Sequence, residues 1–169
     1  MMNRGYNMDQ YRMAVAGIRS RLPGAGLTTD LIVGHPGETD EDYGESLKAL
    51  EEFRFDLVHT AAFSPREGTA AARREDQIPR EIKMARLREV NALQSKIAGE
   101  INASLEGAIF PVLLDDLAPK GEGLLQGRTP SDKVALVEAK EEMLGRTVPV
   151  RITRGENWCL YGQIAEPAD

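Results

Sequence analysis

The stretch Thr28–Tyr43, TTDLIVGHPGETDEDY, decides how this chain is read. Asp30 leads into the apolar run Leu31, Ile32, Val33. A Gly34-His35-Pro36-Gly37 turn follows, then Glu38, Thr39 and the acids Asp40, Glu41 and Asp42. A short apolar run of this kind predicts a strand covered on both faces. Thr39 predicts a helix N-cap: its hydroxyl can satisfy a free backbone N–H, and the acids after it sit where the helix dipole favours negative charge. Strand, glycine-bearing loop and helix start in succession make a βα unit. In α/β proteins, ligands gather where strands hand over to helices. Glycine admits close backbone approach, and the helix start offers N–H groups. On the residues alone, the turn reads first as a structural connection and second as a ligand loop.

Working outward, Asn7 and Gln10 form a capping-box pair that opens a helix. Tyr11, Val15, Ile18 and Leu22 recur at helical spacing until Pro23-Gly24. Tyr43, Leu47, Leu50 and Phe53 form the inward stripe of the helix after Thr39. Leu57–Phe63 is a second strand, Ser64–Arg74 a polar loop, and Pro79 opens a long helix with Leu87, Val90, Leu93, Ile97 and Ile101 on its apolar face. Past about Leu105 the helical periodicity stops. AIFPVLLDD, GLLQGRT, KVALVEA, TVPVRITR and WCLYGQIA read as short strands of a small antiparallel barrel. The fold class expected is therefore α/β followed by all-β, with one unit over residues 1–104 and a second over 105–169. Two parallel strands and three helices cannot cover a sheet on both faces, so the first unit reads as part of a larger α/β structure whose beginning is missing.

The chain has 169 residues, 41% apolar and 28% charged, a composition suited to a folded globular protein. No apolar run reaches the roughly 18 residues needed to cross a bilayer. The N-terminus has no apolar signal core, so a cytoplasmic protein with no membrane partner is expected. A single cysteine, Cys159, excludes an intrachain disulfide and any multi-cysteine metal centre built from this chain alone. With Trp158 and Leu160 beside it, it reads as a small core residue. The net charge of −6 argues against unaided nucleic-acid binding through a global field. From Leu105 onward there are 7 Lys and Arg against 11 Asp and Glu, so any RNA contact there uses local clusters. Lys120, Arg128, Lys133, Arg151 and Arg154 are candidate phosphate contacts, with solvated surface charge as the alternative. His35 and His59 have no partner at metal-ligand spacing and read as packing or loop residues.

Four segments, in order, resemble the radical S-adenosylmethionine methylthiotransferases. RGYNMDQYRMAVAGIRSRLPGAGLTTDLIVGHPGETDEDY is similar to the family stretch built around TDIIVGFPGET, and FSPREGTAAA to its YS-R-GT-A segment. DQIPREIKMARLREVNALQSKI resembles the helix leaving its catalytic domain. VLLDD, LLQGRTPSDKVALV and GRTVPVRITRGENWCLYG resemble its C-terminal TRAM domain, a small RNA-binding β-barrel. The resemblance implies the end of a partial βα barrel followed by TRAM. It further implies a methylthio transfer that uses S-adenosyl-L-methionine and two 4Fe-4S clusters. Gly127-Arg128-Thr129 and Thr29-Asp30 resemble the tRNA-modifying (MiaB-type) branch, whose substrate is a modified adenosine in tRNA. Arg66-Glu67 mixes that pattern with the branch acting on a ribosomal protein (RimO-type). A non-catalytic RNA-binding module is the alternative from another class. By resemblance, Gly34, Pro36, Gly37 and Glu38 lie along the cofactor's adenine side, and Arg4 meets the cofactor carboxylate or the substrate. Ser64 and Arg66 face the cavity mouth, and Arg128 and Thr129 lead the RNA contacts, with Lys120 and Lys133 as further candidates. His35 stands where the family usually has Phe. With Cys159 alone, the chain has none of the cluster ligands and is expected to be inactive by itself.

Overall fold

The computed structural model describes residues 5–119 and 123–165. Arg4 and Lys120 lie outside them. Helix α1 (Met8–Arg21) opens on the Asn7–Gln10 capping box, each side chain bonding the other's backbone N–H. Strand β1 (Thr28–Val33) pairs in parallel with β2 (Leu57–Ala62) across helix α2 (Asp40–Phe53). Thr39 caps α2 and makes a reciprocal box with Asp42. Helix α3 (Arg80–Ala103) follows, with Pro79 at its N-cap.

The two-stranded sheet is covered on one face only. Thr29, Leu31 and Val33 of β1, in register with Val58, Thr60 and Ala62 of β2, face the helices. Their core joins Val33, Tyr43, Leu50, Phe53, Phe55, Val58, Val90 and Ile97. The alternate residues Asp30, Ile32, His59 and Ala61 lie exposed on the other face. The helices of this chain supply one covering layer, as the count of two strands and three helices implies. In α1 only Val15 is buried, and Ile18 and Leu22 of its apolar series are exposed.

The remaining strands, β3 (Ile109–Leu117), β4 (Leu124–Arg128), β5 (Val134–Glu138), β6 (Thr147–Gly155) and β7 (Leu160–Ile164), close a barrel in the order β3-β4-β5-β7-β6. All neighbours are antiparallel except β5 and β7, whose parallel pairing closes the ring and makes the barrel mixed. Period-two alternation points Val112, Leu114, Leu125, Ala135, Val137, Val150, Ile152 and Leu160 inward. Cys159 lies just before β7, half-buried, where desolvation raises its thiol pKa.

The barrel docks on the α/β unit at two places. The β6–β7 turn meets the last turns of α3: Asn102 Nδ2 donates to the Glu156 carbonyl at 2.6 Å, and Asn157 Nδ2 to Ser95 Oγ at 2.6 Å. The β4–β5 turn meets the segments entering β1 and β2. There Lys133 Nζ lies 2.5 Å from Asp56 Oδ1, and Asp56 Oδ2 accepts from the Leu27 N–H at 2.9 Å. Both charged side chains are largely buried, 13% and 21% exposed. Gly155 sits against the end of α3, where a Cβ would run into the Asn102 carbonyl. Gly155→Ala should therefore cost about 1–3 kcal/mol through overpacking. Gly17→Ala, in open space on α1, should be neutral or stabilise by up to about 1 kcal/mol. Urea melts of the two variants test the contrast, and equal midpoints would refute it.

Candidate ligand site and barrel surface

Beyond the C-terminal ends of β1 and β2, the Gly34–Glu38 loop closes on itself. The Glu38 carboxylate accepts from the N–H groups of Gly34 (2.5 Å) and His35 (3.1 Å). The other carboxylate oxygen accepts from Arg86 Nη1 at 2.9 Å, while Arg86 Nη2 bonds Asp40 Oδ1 at 2.7 Å. Arg86 is only 7% exposed and lies over the Tyr43 ring, 5.0 Å from its centroid. The single Tyr43 hydroxyl proton is shared between the Arg86 carbonyl and the Glu89 carboxylate, at 3.0 and 2.9 Å. Burial, with the Glu89 carboxylate beside it, raises the phenol's pKa, so it stays protonated. This network ties the loop to two helices. Glu38, singled out for the cofactor, has both oxygens committed to protein donors, which makes it the loop's internal brace.

The two loop glycines take positive φ, +74° and +79°, as the turn requires. Their Cβ sides are occupied by this chain. A side chain at Gly34 would strike Lys83, and one at Gly37 would meet Arg74 Nη2 and Asp76 Oδ2 at 2.5 and 2.6 Å. Arg74 and Asp76 form a two-point ion pair that holds the Asp76 carboxyl below the usual carboxylate range, and the Asp76 carbonyl accepts the Gly37 N–H at 3.0 Å. The positive φ is what calls for glycine at both positions, and the flexible Lys83, Arg74 and Asp76 side chains pack into the space a Cβ would take. Pro36 is buried, and His35 packs edge-on to Phe63 at 5.1 Å.

Ser64 and Arg66 do come together. With Ile32, Ala61, Ala62, Phe63, Thr69 and Ala71 they line a hollow of about 430 Å³ at the strand ends. That volume falls in the range of small-molecule sites. On the open sheet face below, Asp30 and His59 are opposite one another in register. Sequence reasoning gave both only local roles, and Arg86 none. Alternation along β1 was the available signal for Asp30, whereas nothing local marks Arg86.

The cations chosen on the barrel separate. Thr129 is 6% exposed; its hydroxyl contacts Ser131 Oγ and accepts the Lys133 N–H, so it organises the β4–β5 turn. Lys133 points into the seam between the units, as described above. Both side chains are thus largely buried and engaged within the protein. Arg128 is exposed and bonds the Asp132 carbonyl at 3.2 Å. Arg151 and Arg154 are exposed on β6.

A five-stranded mixed barrel fastened by a long helix to a βα unit makes a protein of two structural units. Residues 103–165 match the TRAM domain family. The chain is 38% identical over 165 residues to the tRNA-2-methylthio-N(6)-dimethylallyladenosine synthase of Natranaerobius thermophilus, covering 98% of this chain and 37% of that protein. It is 40% identical to the synthases of the same name from Acetivibrio thermocellus and Dictyoglomus thermophilum, covering 97% and 99% of this chain and 34% and 38% of theirs. The chain is thus similar over nearly its whole length to a portion of these synthases, and the barrel lies within the stretch that matches the TRAM domain family. It spans little more than a third of the length of these relatives.

Removing Arg86 leaves Glu38 buried without its cation. Arg86→Ala should cost about 3 kcal/mol or more. Asp40→Asn should cost under about 1 kcal/mol, since Asp40 is 94% exposed. Chemical denaturation measures both, and equal losses would contradict the central role given to the Glu38–Arg86 pair.

Proposed function

We propose that this chain is the C-terminal portion of a radical S-adenosylmethionine methylthiotransferase acting on a modified adenosine in tRNA. Residues 1–104 end the catalytic barrel and residues 105–169 form the TRAM domain. The supporting observation is a match that runs through both units in order, joined to an open sheet face and hollow at the C-terminal strand ends, where α/β enzymes bind ligands.

The residues present suit one wall of a nucleoside site. Ile32, Ala61 and Phe63 offer apolar contact, and Ser64 and Arg66 polar groups at the rim. Gly34, Pro36 and Gly37 form the braced loop beside it. S-adenosylmethionine, when bound, supplies the radical precursor and the methyl group; this chain's part is to shape the wall and hold the loop still. The iron–sulfur clusters do not fit the donor set here. One cysteine, half-buried in the TRAM barrel, cannot ligate a cluster, so their ligands must come from elsewhere, and this chain alone should not catalyse the reaction.

The TRAM barrel docks at the N-terminal ends of β1 and β2, while the hollow lies at their C-terminal ends. Six-residue strands put about 20 Å between the two levels. A substrate engaging both must be extended, which suits a folded RNA better than a short peptide loop and favours tRNA over a ribosomal protein. Cytoplasmic action on tRNA follows. The test is mass spectrometry of tRNA nucleosides from cells lacking the gene that encodes this chain. The 2-methylthio adenosine should disappear and its unthiolated precursor accumulate, whereas unchanged levels would overturn the assignment.

A further inference from the structure

We propose that the outer face of the β6–β7 hairpin, with Trp158 at its turn, is a stacking site for unpaired nucleotides of the RNA. The inference rests on the tRNA reading above and assigns the surface that reading leaves open.

Trp158 is the only tryptophan in the chain, yet it is 58% exposed. It lies in the four-residue turn closed by the Glu156 N–H bonding the Cys159 carbonyl at 2.9 Å. The turn is held against α3 through Asn102 and Ser95, so the indole is displayed on a fixed backbone. Next to the turn, a register shift between Ile152 and Arg154 sets Arg154 opposite Tyr161 on the outer face, while Ile152, Leu160 and Gly162 point inward. A bulge re-aims side chains in this way. The Arg154 guanidinium lies 4.1 Å from the Tyr161 ring centroid. Further along the same face Arg151 pairs with Gln163; among the described residues Arg151 has no carboxylate partner and donates only to the Gly107 carbonyl.

An exposed indole, a guanidinium fixed on a phenol ring and a second exposed guanidinium on one hairpin form a combination that single-stranded nucleic acid recognises. Bases stack on the rings and phosphates meet the arginines. Glu156 lies 3.2 Å from Arg154, but both are about half exposed. Exposed pairs of this kind contribute little, so a phosphate can displace the carboxylate. The acidic balance of the chain does not oppose this, because the cations are local and the contact is short-range.

The sole tryptophan makes the test direct. The full chain is titrated with a fluorescein-labelled 12-nucleotide oligoadenylate and with unmodified tRNA, following indole emission and label anisotropy together. Binding should quench the indole. Trp158→Ala should weaken oligonucleotide binding about 5- to 100-fold. Arg151→Ala and Arg154→Ala should each weaken it and lower the salt slope by about 0.7. Thermal melts matching the parent would show that these exposed substitutions leave the fold intact. Binding that leaves indole emission and the affinity of Trp158→Ala unchanged overturns the stacking site and leaves the tRNA reading standing. Failure of the parent chain to bind either RNA overturns the stacking site, while the tRNA reading is decided by the nucleoside analysis above.

Discussion

One helix carries this molecule. α3 runs 24 residues, about 36 Å at 1.5 Å per residue, and each of its thirds does different work. Near its start Arg86 pairs with Glu38 and holds the ligand loop. In its middle Val90, Gln94 and Ile97 cover the sheet, with the Gln94 amide donating to the Phe55 carbonyl at 3.1 Å. At its end Gly99 and Asn102 receive the β6–β7 turn of the TRAM barrel. Loop, core and barrel therefore share one rigid rod. The buried Glu38–Arg86 pair matters most within it, because a charge stripped of water with its partner removed has no cheap alternative.

That arrangement explains why several residues chosen for contact turn inward. A carboxylate beside a glycine loop, a lysine near a turn and a threonine after an arginine all look like ligand groups in one dimension. In three, Glu38 braces its own loop, Lys133 answers Asp56 across a seam, and Thr129 shapes a turn. Ser64 and Arg66 at the hollow and Arg128, Arg151 and Arg154 on the outer barrel stay exposed. The structure spends charge on holding the two units in register and leaves the working surfaces mostly apolar, aromatic or singly charged.

The seam gives the two surfaces a fixed relation. Lys133–Asp56 and Asn102–Glu156 anchor the barrel at two separated points, which resists rotation better than either alone. The barrel surface and the strand ends are thus held at a set offset by direct contacts between the units.

Local rules were enough for much of this. Capping boxes at Asn7 and Thr39, the apolar periods of α2 and α3 and the five alternating segments of the barrel are written in neighbouring residues, because caps and alternation depend on backbone geometry a few residues long. The sequence by itself also determined the order of the two units and, through its four matched segments, the kinship. Tertiary structure alone decided that β5 and β7 pair in parallel, that Arg86 reaches Glu38 across 48 positions, and that Lys133 is largely buried while Trp158 is displayed. Each of these depends on which surfaces meet after folding, and a residue's partners at long range leave no periodic mark on the residues beside it.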